Sequence, residues 1–491
     1  MTDRLILVLD EGTTSTRAML FAPNGDVEGV SQHALTQHYP ADGLVEHDAG
    51  EIWDKTLSAA QELVERVGGP HRIAAIGITN QRETVVAWDR HTGQPLAPAI
   101  VWQDRRTAPL CDALRAAGHE DMIRQKTGLL LDPYFSASKM RWLLDNQPAV
   151  RLAAGEGRLA FGTIESWLVW NLTGGTHHIT DASNASRTML LALDGTDWDP
   201  ELLALFGVPR AALPRIVDCC GPLAETDFEV FGASIPITGM AGDQQAATIG
   251  QGCLLPGQTK ATYGTGAFVL TCMGETLPRS TNRLLGTVLC QHHGKRTYAL
   301  EGSVFVAGSL IKWLRDGLGL LVTAEESEDL ARSVPDSGGV VLVPALTGLG
   351  APHWRPQARA ALMGMSLATT RAHVARAALE AMACQTADLA TAFSADGAAW
   401  TGLRVDGGMV ANGWMAQDLA DVLALEVIRP EMIETTALGA AILAATGAGR
   451  CTTLEEAYAA MSGPARGFLP TMDASTRTLR LARWAEALAK V

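Results

Sequence analysis

The chain has 491 residues, 47% hydrophobic and 19% charged, with a formal net charge of -14. That length exceeds one ordinary core and predicts two domains. The negative balance excludes nonspecific nucleic-acid binding, which depends on clustered Lys and Arg.

The chain opens on "LILVLDEGTTSTRAMLF". Leu5 to Leu9 is an apolar run of buried-strand type, and Arg17 to Phe21 returns to apolar residues before the turn signal Pro23-Asn24-Gly25. Between them lie Asp10, Gly12, Thr13, Thr14, Ser15 and Thr16. A plain hairpin turn does not need four hydroxyls. Hydroxyls and backbone N–H groups in one tight turn suit phosphate oxygens, and a carboxylate beside them can hold a divalent metal. A Thr-rich surface hairpin is the alternative at this point. Asp3 and Arg4 lead straight into that strand, so no signal peptide is expected.

Next come a helical period in "EIWDKTLSAAQELVERV" and strand patterns in "IAAIGIT" and "TVVAW". The alternation is of the α/β type. Further on, "IPITGMAGDQQAA" reads as a strand reaching a helix start, and "GQTKATYGTGAFVLTCMG" as strand, Gly-Thr-Gly turn, strand. This second hairpin echoes the first and suggests two related halves, each offering a phosphate-binding turn to a cleft. The boundary is expected near Gly250–Pro256, dividing the chain into 1–250 and 251–491. Helical patterns in "HVARAALEAMACQTADLATAF" and "MAQDLADVLAL" close the second half. "TTALGAAILAATGAG" is too short and too broken by Gly and Thr to span a bilayer, so no membrane insertion is expected. The eight cysteines show no C-x-x-C pair, which points to a reduced, cytoplasmic protein.

Familiar nucleotide loops are absent. "HHGKRT" lacks the earlier glycine and the Ser or Thr of a Walker loop, and "YGTGAFV" has Val269 where a dinucleotide fingerprint needs its third glycine. No G-x-S-x-G elbow occurs.

The motifs "DEGTTSTR", "GITNQRET", "IVWQDRRT", "DPYFSASK", "TDASNASRTML", "GMAGDQQAA", "YGTGAF", "YALEGSVFVAG", "TGLGAPHW" and "RVDGGMVANGW" occur in this order. Together they resemble the FGGY carbohydrate-kinase family and, within it, the glycerol kinases, from residue 4 to about residue 450. The resemblance implies an α/β fold of two ribonuclease-H-like (actin-like ATPase) domains flanking a cleft. It implies ATP-dependent conversion of glycerol to sn-glycerol 3-phosphate with Mg²⁺, in glycerol uptake and degradation. It also implies a homo-oligomer, dimer or tetramer. Carried over by motif, Thr13, Thr14, Ser15, Arg17 and Thr265 would line the nucleotide phosphates. Gly308, Gly408 and Asn412 would form the nucleotide pocket, and Asp10 and Asp243 would meet the metal. Glycerol would meet Arg82, Glu83, Tyr134, Asp243 and Gln244, with Trp102 and Phe268 against its carbons.

The chemistry asks for such groups. Phosphoryl transfer needs positioning and charge neutralisation, and a primary alcohol needs a carboxylate to take its proton. Asp243, in a Gly-bounded turn at a helix start, is the candidate base, with a helix N-cap as its alternative role. Arg82-Glu83 supplies a donor and an acceptor side by side, which discriminates a polyol better than an apolar pocket. An exposed ion pair is the alternative there.

Three departures from the family stand out. Glu11 replaces a common Gln, and strand alternation predicts that it points away from Asp10. Lys312 stands where a Gln often lies near the nucleotide. "TDFEVFGASIPI" lacks the arginine through which some members bind fructose 1,6-bisphosphate, so that regulation is not expected.

Overall fold

The computed structural model describes residues 4–491. Two large mixed sheets carry the fold, and their strands are numbered here in chain order. The first contains β1 (Leu5–Glu11), β2 (Ser15–Phe21), β3 (Val27–Ala34), β4 (Ile73–Asn80), β5 (Cys220–Glu225) and β6 (Pro236–Gly242). Their spatial order is β5-β6-β4-β1-β2-β3. The second contains β7 (Gln258–Tyr263), β8 (Ala267–Gly274), β9 (Leu285–His292), β10 (Lys295–Val304), β11 (Gly402–Asp406), β12 (Val427–Pro430) and β13 (Ala465–Phe468). Their order is β9-β10-β8-β7-β11-β12-β13.

The two sheets share one topology. A hairpin (β1/β2, β7/β8) is followed outward by an antiparallel third strand (β3, β10). On the other side, the first hairpin strand pairs with a parallel strand (β4, β11), then a second parallel strand (β6, β12), then an antiparallel edge (β5, β13). β9 is an addition to the second sheet, paired with β10. The echo between the two sequence hairpins is therefore an architectural repeat.

β1 and β4 are buried along their whole length, as the continuous apolar runs of central parallel strands require. Helix α1 (Ala49–Arg66) covers one face of the first sheet with Ile52, Ala59, Ala60 and Leu63. It starts where the Asp48 carboxylate accepts the N–H of Gly50 at 2.8 Å, a side-chain cap for otherwise unpaired donors. Further helices are α2 (Asp243–Gly250), α3 (Gly308–Asp316), α4 (Arg371–Ala395), α5 (Gly413–Leu423) and α6 (Thr435–Gly447).

The apolar segment "TTALGAAILAATG" is α6, and it is buried against the first half. Although its sequence belongs to the second half, it packs on β1, β4 and β6 of the first sheet and on α2. Backbone meets backbone along this seam. A Cβ on Gly439 would stand 1.8 Å from the Ala246 carbonyl oxygen, and one on Gly250 1.9 Å from that of Thr435. On the sheet side, a Cβ on Gly77 of β4 would stand 2.5 Å from the carbonyl oxygen of Ala440. Only glycine permits such approach. Among the described residues no helix is long and apolar enough to cross a membrane, and all eight cysteines are unpaired.

Glu11 points as alternation predicts. Its carboxylate is buried beneath α1, where the hydroxyls of Thr16 and Thr56 donate to it. Burial pushes it up to about 7 against those hydrogen bonds.

The seam yields a test. Gly439→Ala puts a methyl into the Ala246 carbonyl and is expected to lower unfolding free energy by about 1–3 kcal/mol or more. Gly155→Ala, whose Cβ meets nothing within 4 Å, is the control and is expected to be neutral or slightly stabilising. Urea melts of both variants measure the difference, and equal midpoints would dismiss the seam as a close-packed contact.

Candidate active site

Three parallel neighbours, β6, β4 and β1, end side by side, with Gly242 and Glu11 both in register with Asn80. The carboxyl ends of parallel strands are where α/β folds place ligands. Here they carry Asp243, Arg82-Glu83 and Asp10 to one rim. The second sheet does the same with β7 and β11, whose ends open into Gly264-Thr265-Gly266 and Gly407-Gly408.

Asp10 is buried and its carboxylate pairs with Arg17 across the β1/β2 hairpin. Arg17 reaches on to Glu434, Nη1 to Oε2 at 2.6 Å. Burial pushes the Asp10 carboxyl up, against the pull of Arg17. At the tip, Thr14 is exposed. Thr13 Oγ1 accepts the Trp102 indole N–H at 3.0 Å, and Ser15 Oγ accepts from Gln32 at 2.9 Å. Ser15 and Thr16 belong to β2 rather than to the turn. Only Gly12 to Thr14 form the bend, with the Gly12 N–H closing on the Ser15 carbonyl at 3.0 Å.

Arg82 and Glu83 are fully buried, so the exposed-pair alternative fails. Glu83 holds φ +63°, a left-handed conformation costly for a residue with a side chain. Arg82 sits in a ring of acceptors. Its Nε lies 3.3 Å from Asp243 Oδ1, and its Nη1 lies 2.6 Å from Glu301 Oε2 and 3.3 Å from Gln245 Oε1. Its Nη2 donates to the Tyr134 hydroxyl at 3.5 Å. Glu83 Oε1 accepts from Arg187 Nε at 2.7 Å. Burial pushes the Glu83 carboxyl up against both guanidiniums. Tyr134 stands edge-on to Trp102, ring centres 5.6 Å apart, so an aromatic corner adjoins the charged pair.

Asp243 is the first residue of α2, with Gly242 at the cap position. From the backbone its carboxylate accepts the adjoining Gln244 N–H, at 2.7 Å, and not the N–H groups two or three residues on that an N-cap takes. The side chain remains 34% exposed. Burial around it pushes the carboxyl up, while Arg82 and Lys260 pull it down, and the first effect prevails. Gln244 Oε1 accepts from Lys260 Nζ at 2.6 Å.

On the second sheet, register sets Lys260 opposite Leu270, Thr262 opposite Phe268, and Phe268 and Leu270 opposite Ser303 and Glu301. Cross-strand partners share a face, and so do residues two apart. Lys260, Phe268 and Glu301 therefore project from one face of the sheet. Thr265 is exposed at the hairpin tip, and its carbonyl accepts the N–H groups of Ala307 and Ser309. This docks the tip on the start of α3. A Cβ on Gly308 would lie 2.6 Å from the Gly264 carbonyl, while Gly408 faces open space. Asn412 caps α5, its Oδ1 accepting the Met415 N–H at 2.9 Å. That side chain is committed to the helix. No cluster of three His, Cys, Asp or Glu able to hold a metal ion occurs among the described residues.

Sequence reasoning missed Arg187, Glu301, Lys260 and Gln245. Each lay within a motif already singled out or beside one. For Lys260 and Glu301 the available signal was a charge inside a strand pattern, "TKATY" and "YALEGSV", where a buried ion needs a partner; Arg187 and Gln245 gave no such signal.

Comparison with known proteins identifies the family. The model for the N-terminal domain of the FGGY family of carbohydrate kinases matches residues 5–250, and that for the C-terminal domain residues 259–448. A glycerol kinase of Aromatoleum aromaticum is 54% identical over 98% of both chains, and one of Rhodospirillum centenum is 53% identical over 98% of this chain and 97% of its own. Among solved structures, Plasmodium falciparum glycerol kinase with ADP superposes with a TM-score of 0.95 at 34% identity, covering 99% of this chain and 98% of that one. A xylulose kinase of Lactobacillus acidophilus shares the fold, with a TM-score of 0.88 at 21% identity. From the paired hairpins to the strand-end charges, this chain belongs to the FGGY family of carbohydrate kinases.

Proposed function

We propose that this chain transfers the γ-phosphoryl group of ATP to glycerol, giving sn-glycerol 3-phosphate. The observation that carries the reading is the rim formed by Arg82, Glu83 and Asp243, together with more than 50% identity to curated glycerol kinases over nearly the full length. In this reading 1–250 is the polyol-binding domain and 251–491 the nucleotide-binding domain. The enzyme works in the cytoplasm as a homo-oligomer.

The Glu83 carboxylate and Arg82 guanidinium supply an acceptor and a donor to the vicinal hydroxyls, held rigid by burial. Tyr134 adds a hydroxyl, and Trp102 and Phe268 face the carbon backbone. Gln244, fixed by Lys260, borders the reacting end. Asp243 takes the proton of the attacking hydroxyl, and its raised affinity for a proton suits a base. Thr13, Thr14, Ser15 and Thr265 offer donors to the phosphates from the two hairpin tips. Arg17 exchanges one of its two carboxylate partners for them. Gly408 leaves the backbone bare for the nucleoside, Gly308 borders that pocket where the Gly264 hairpin tip closes on α3, and Asn412 shapes it by capping α5.

Mg²⁺ binds through one or two carboxylates while keeping waters and phosphate oxygens. Asp10 and Asp243, at the ends of β1 and β6, are the donor set that fits it, and a bound ion would neutralise charge on the phosphates.

ADP release from Mg-ATP with and without glycerol tests the reaction. Strong dependence on glycerol is expected, and glycerol-independent turnover would refute it. Asp243→Asn is expected to keep its thermal midpoint and lose roughly 10²–10⁴-fold in kcat, and near-normal turnover would remove Asp243 as base. Arg82→Lys keeps the charge but loses the fork. Its KM for glycerol is expected to rise about tenfold or more, and an unchanged KM would take Arg82 out of the polyol site.

A further inference from the structure

Glu301 stands on β10 of the second sheet, yet its carboxylate is buried in the polyol corner of the first. Oε2 lies 2.6 Å from Arg82 Nη1, while Oε1 lies 3.3 Å from Arg82 Nη2 and 3.2 Å from Arg187 Nη2. This is a two-pronged grip on one guanidinium and a shared prong on a second. Arg187, fully buried, passes the constraint on to Glu83 Oε1 at 2.7 Å. Its guanidinium also lies over the Phe135 and Tyr134 rings, 5.3 Å and 5.9 Å from their centres. Arg187 Nη1 has no acceptor within the protein.

The orientation of the Arg82-Glu83 pair is therefore not set by its own strand end. Three hydrogen bonds reach it from Glu301 and Arg187, and a fourth ties those two residues together. Burial pushes the Glu301 carboxyl up, but Arg187, Arg82 and Lys260 outweigh it and hold it down to about 2, so it stays ionised. The neighbouring β9, paired with β10, docks on the first half nearby, where Ser186 Oγ and Thr287 Oγ1 lie 3.0 Å apart and the Gly286 N–H donates to the Gly128 carbonyl at 2.8 Å.

We propose that Glu301, acting with Arg187, is a positioning residue for the polyol, so that the substrate site of the first domain is completed by a carboxylate from the second. It touches neither the hydroxyls nor the phosphates. It fixes the fork of Arg82 and, through Arg187, the carboxylate of Glu83, so that both present their polar atoms at the spacing of vicinal hydroxyls. Polyol affinity is thereby tied to the relative placement of the two sheets. This inference rests on the glycerol-kinase reading.

Steady-state kinetics on the full chain, with glycerol and Mg-ATP varied separately, decide it. Glu301→Gln keeps the shape and removes the charge. It is expected to raise the KM for glycerol at least about tenfold while the KM for ATP stays within about twofold. Glu301→Asp retains the charge at shorter reach and is expected to recover part of the loss. A glycerol KM unchanged in Glu301→Gln overturns the proposal, and so does an equal rise in both KM values, which a merely structural role gives. Should Glu301→Gln not fold, Arg187→Lys is read the same way: a selective rise in glycerol KM supports the relay, and an unchanged value overturns it. Wild-type turnover indifferent to glycerol would overturn the underlying reading, and this inference with it, before any variant is compared.

Discussion

Buried charge governs this molecule. Arg82, Arg187 and Lys260 meet Glu83, Glu301 and Asp243 in one corner, and all but Asp243 are closed off from solvent. Ions out of water are tolerated only when paired and hydrogen-bonded, and losing one partner of a buried pair costs about 3–5 kcal/mol. The corner therefore constrains everything around it. β4 must end where Arg82 can enter, Glu83 must accept a left-handed backbone, and β10 must dock against the segment that carries Arg187. The same balance leaves Asp243 as the one carboxylate of the group that faces open space, and so the one free to act.

The two sheets are held in a relation that lets such a corner form. α6 belongs by sequence to the second half, but it lies on β1, β4 and β6 of the first. Glycines at 77, 250 and 439 let the backbones touch there. A seam of this kind has little side-chain freedom, so it sets distance and angle with small tolerance. The pair of Gly/Thr hairpins then stands at the ends of two equivalent sheets. This arrangement suits a charged, flexible triphosphate held from both sides.

Much of this was legible in the order of residues. The strand-turn-strand pattern around Gly12 and again around Gly264, the α/β alternation, and the helix starting at Asp243 all follow from local periodicity and turn chemistry. So does the turn of Glu11 away from Asp10, because alternate residues of a strand face opposite ways. Several residues read differently in three dimensions. Arg82-Glu83 reads as an ion pair of uncertain burial and turns out to be sealed. Asn412 reads as a pocket residue and spends its side chain capping α5. Arg17 reads as a phosphate ligand and is shared between Asp10 and Glu434, the latter more than four hundred residues away.

The sequence by itself thus determined the class of fold, the two hairpins, the strand ends that carry chemistry and the family that uses them. These depend on spacing and side-chain type within a few residues. Only the tertiary structure decided which charges meet. Glu301 lies 219 positions from Arg82, and no local pattern encodes a contact between a strand of one sheet and the loop that leaves another. Lys260 and Glu301 looked like ordinary charges in strand patterns, and Arg187 like one more polar residue in a Ser- and Asn-rich stretch. They became parts of a site because burial without water forces each ion to find its counterpart.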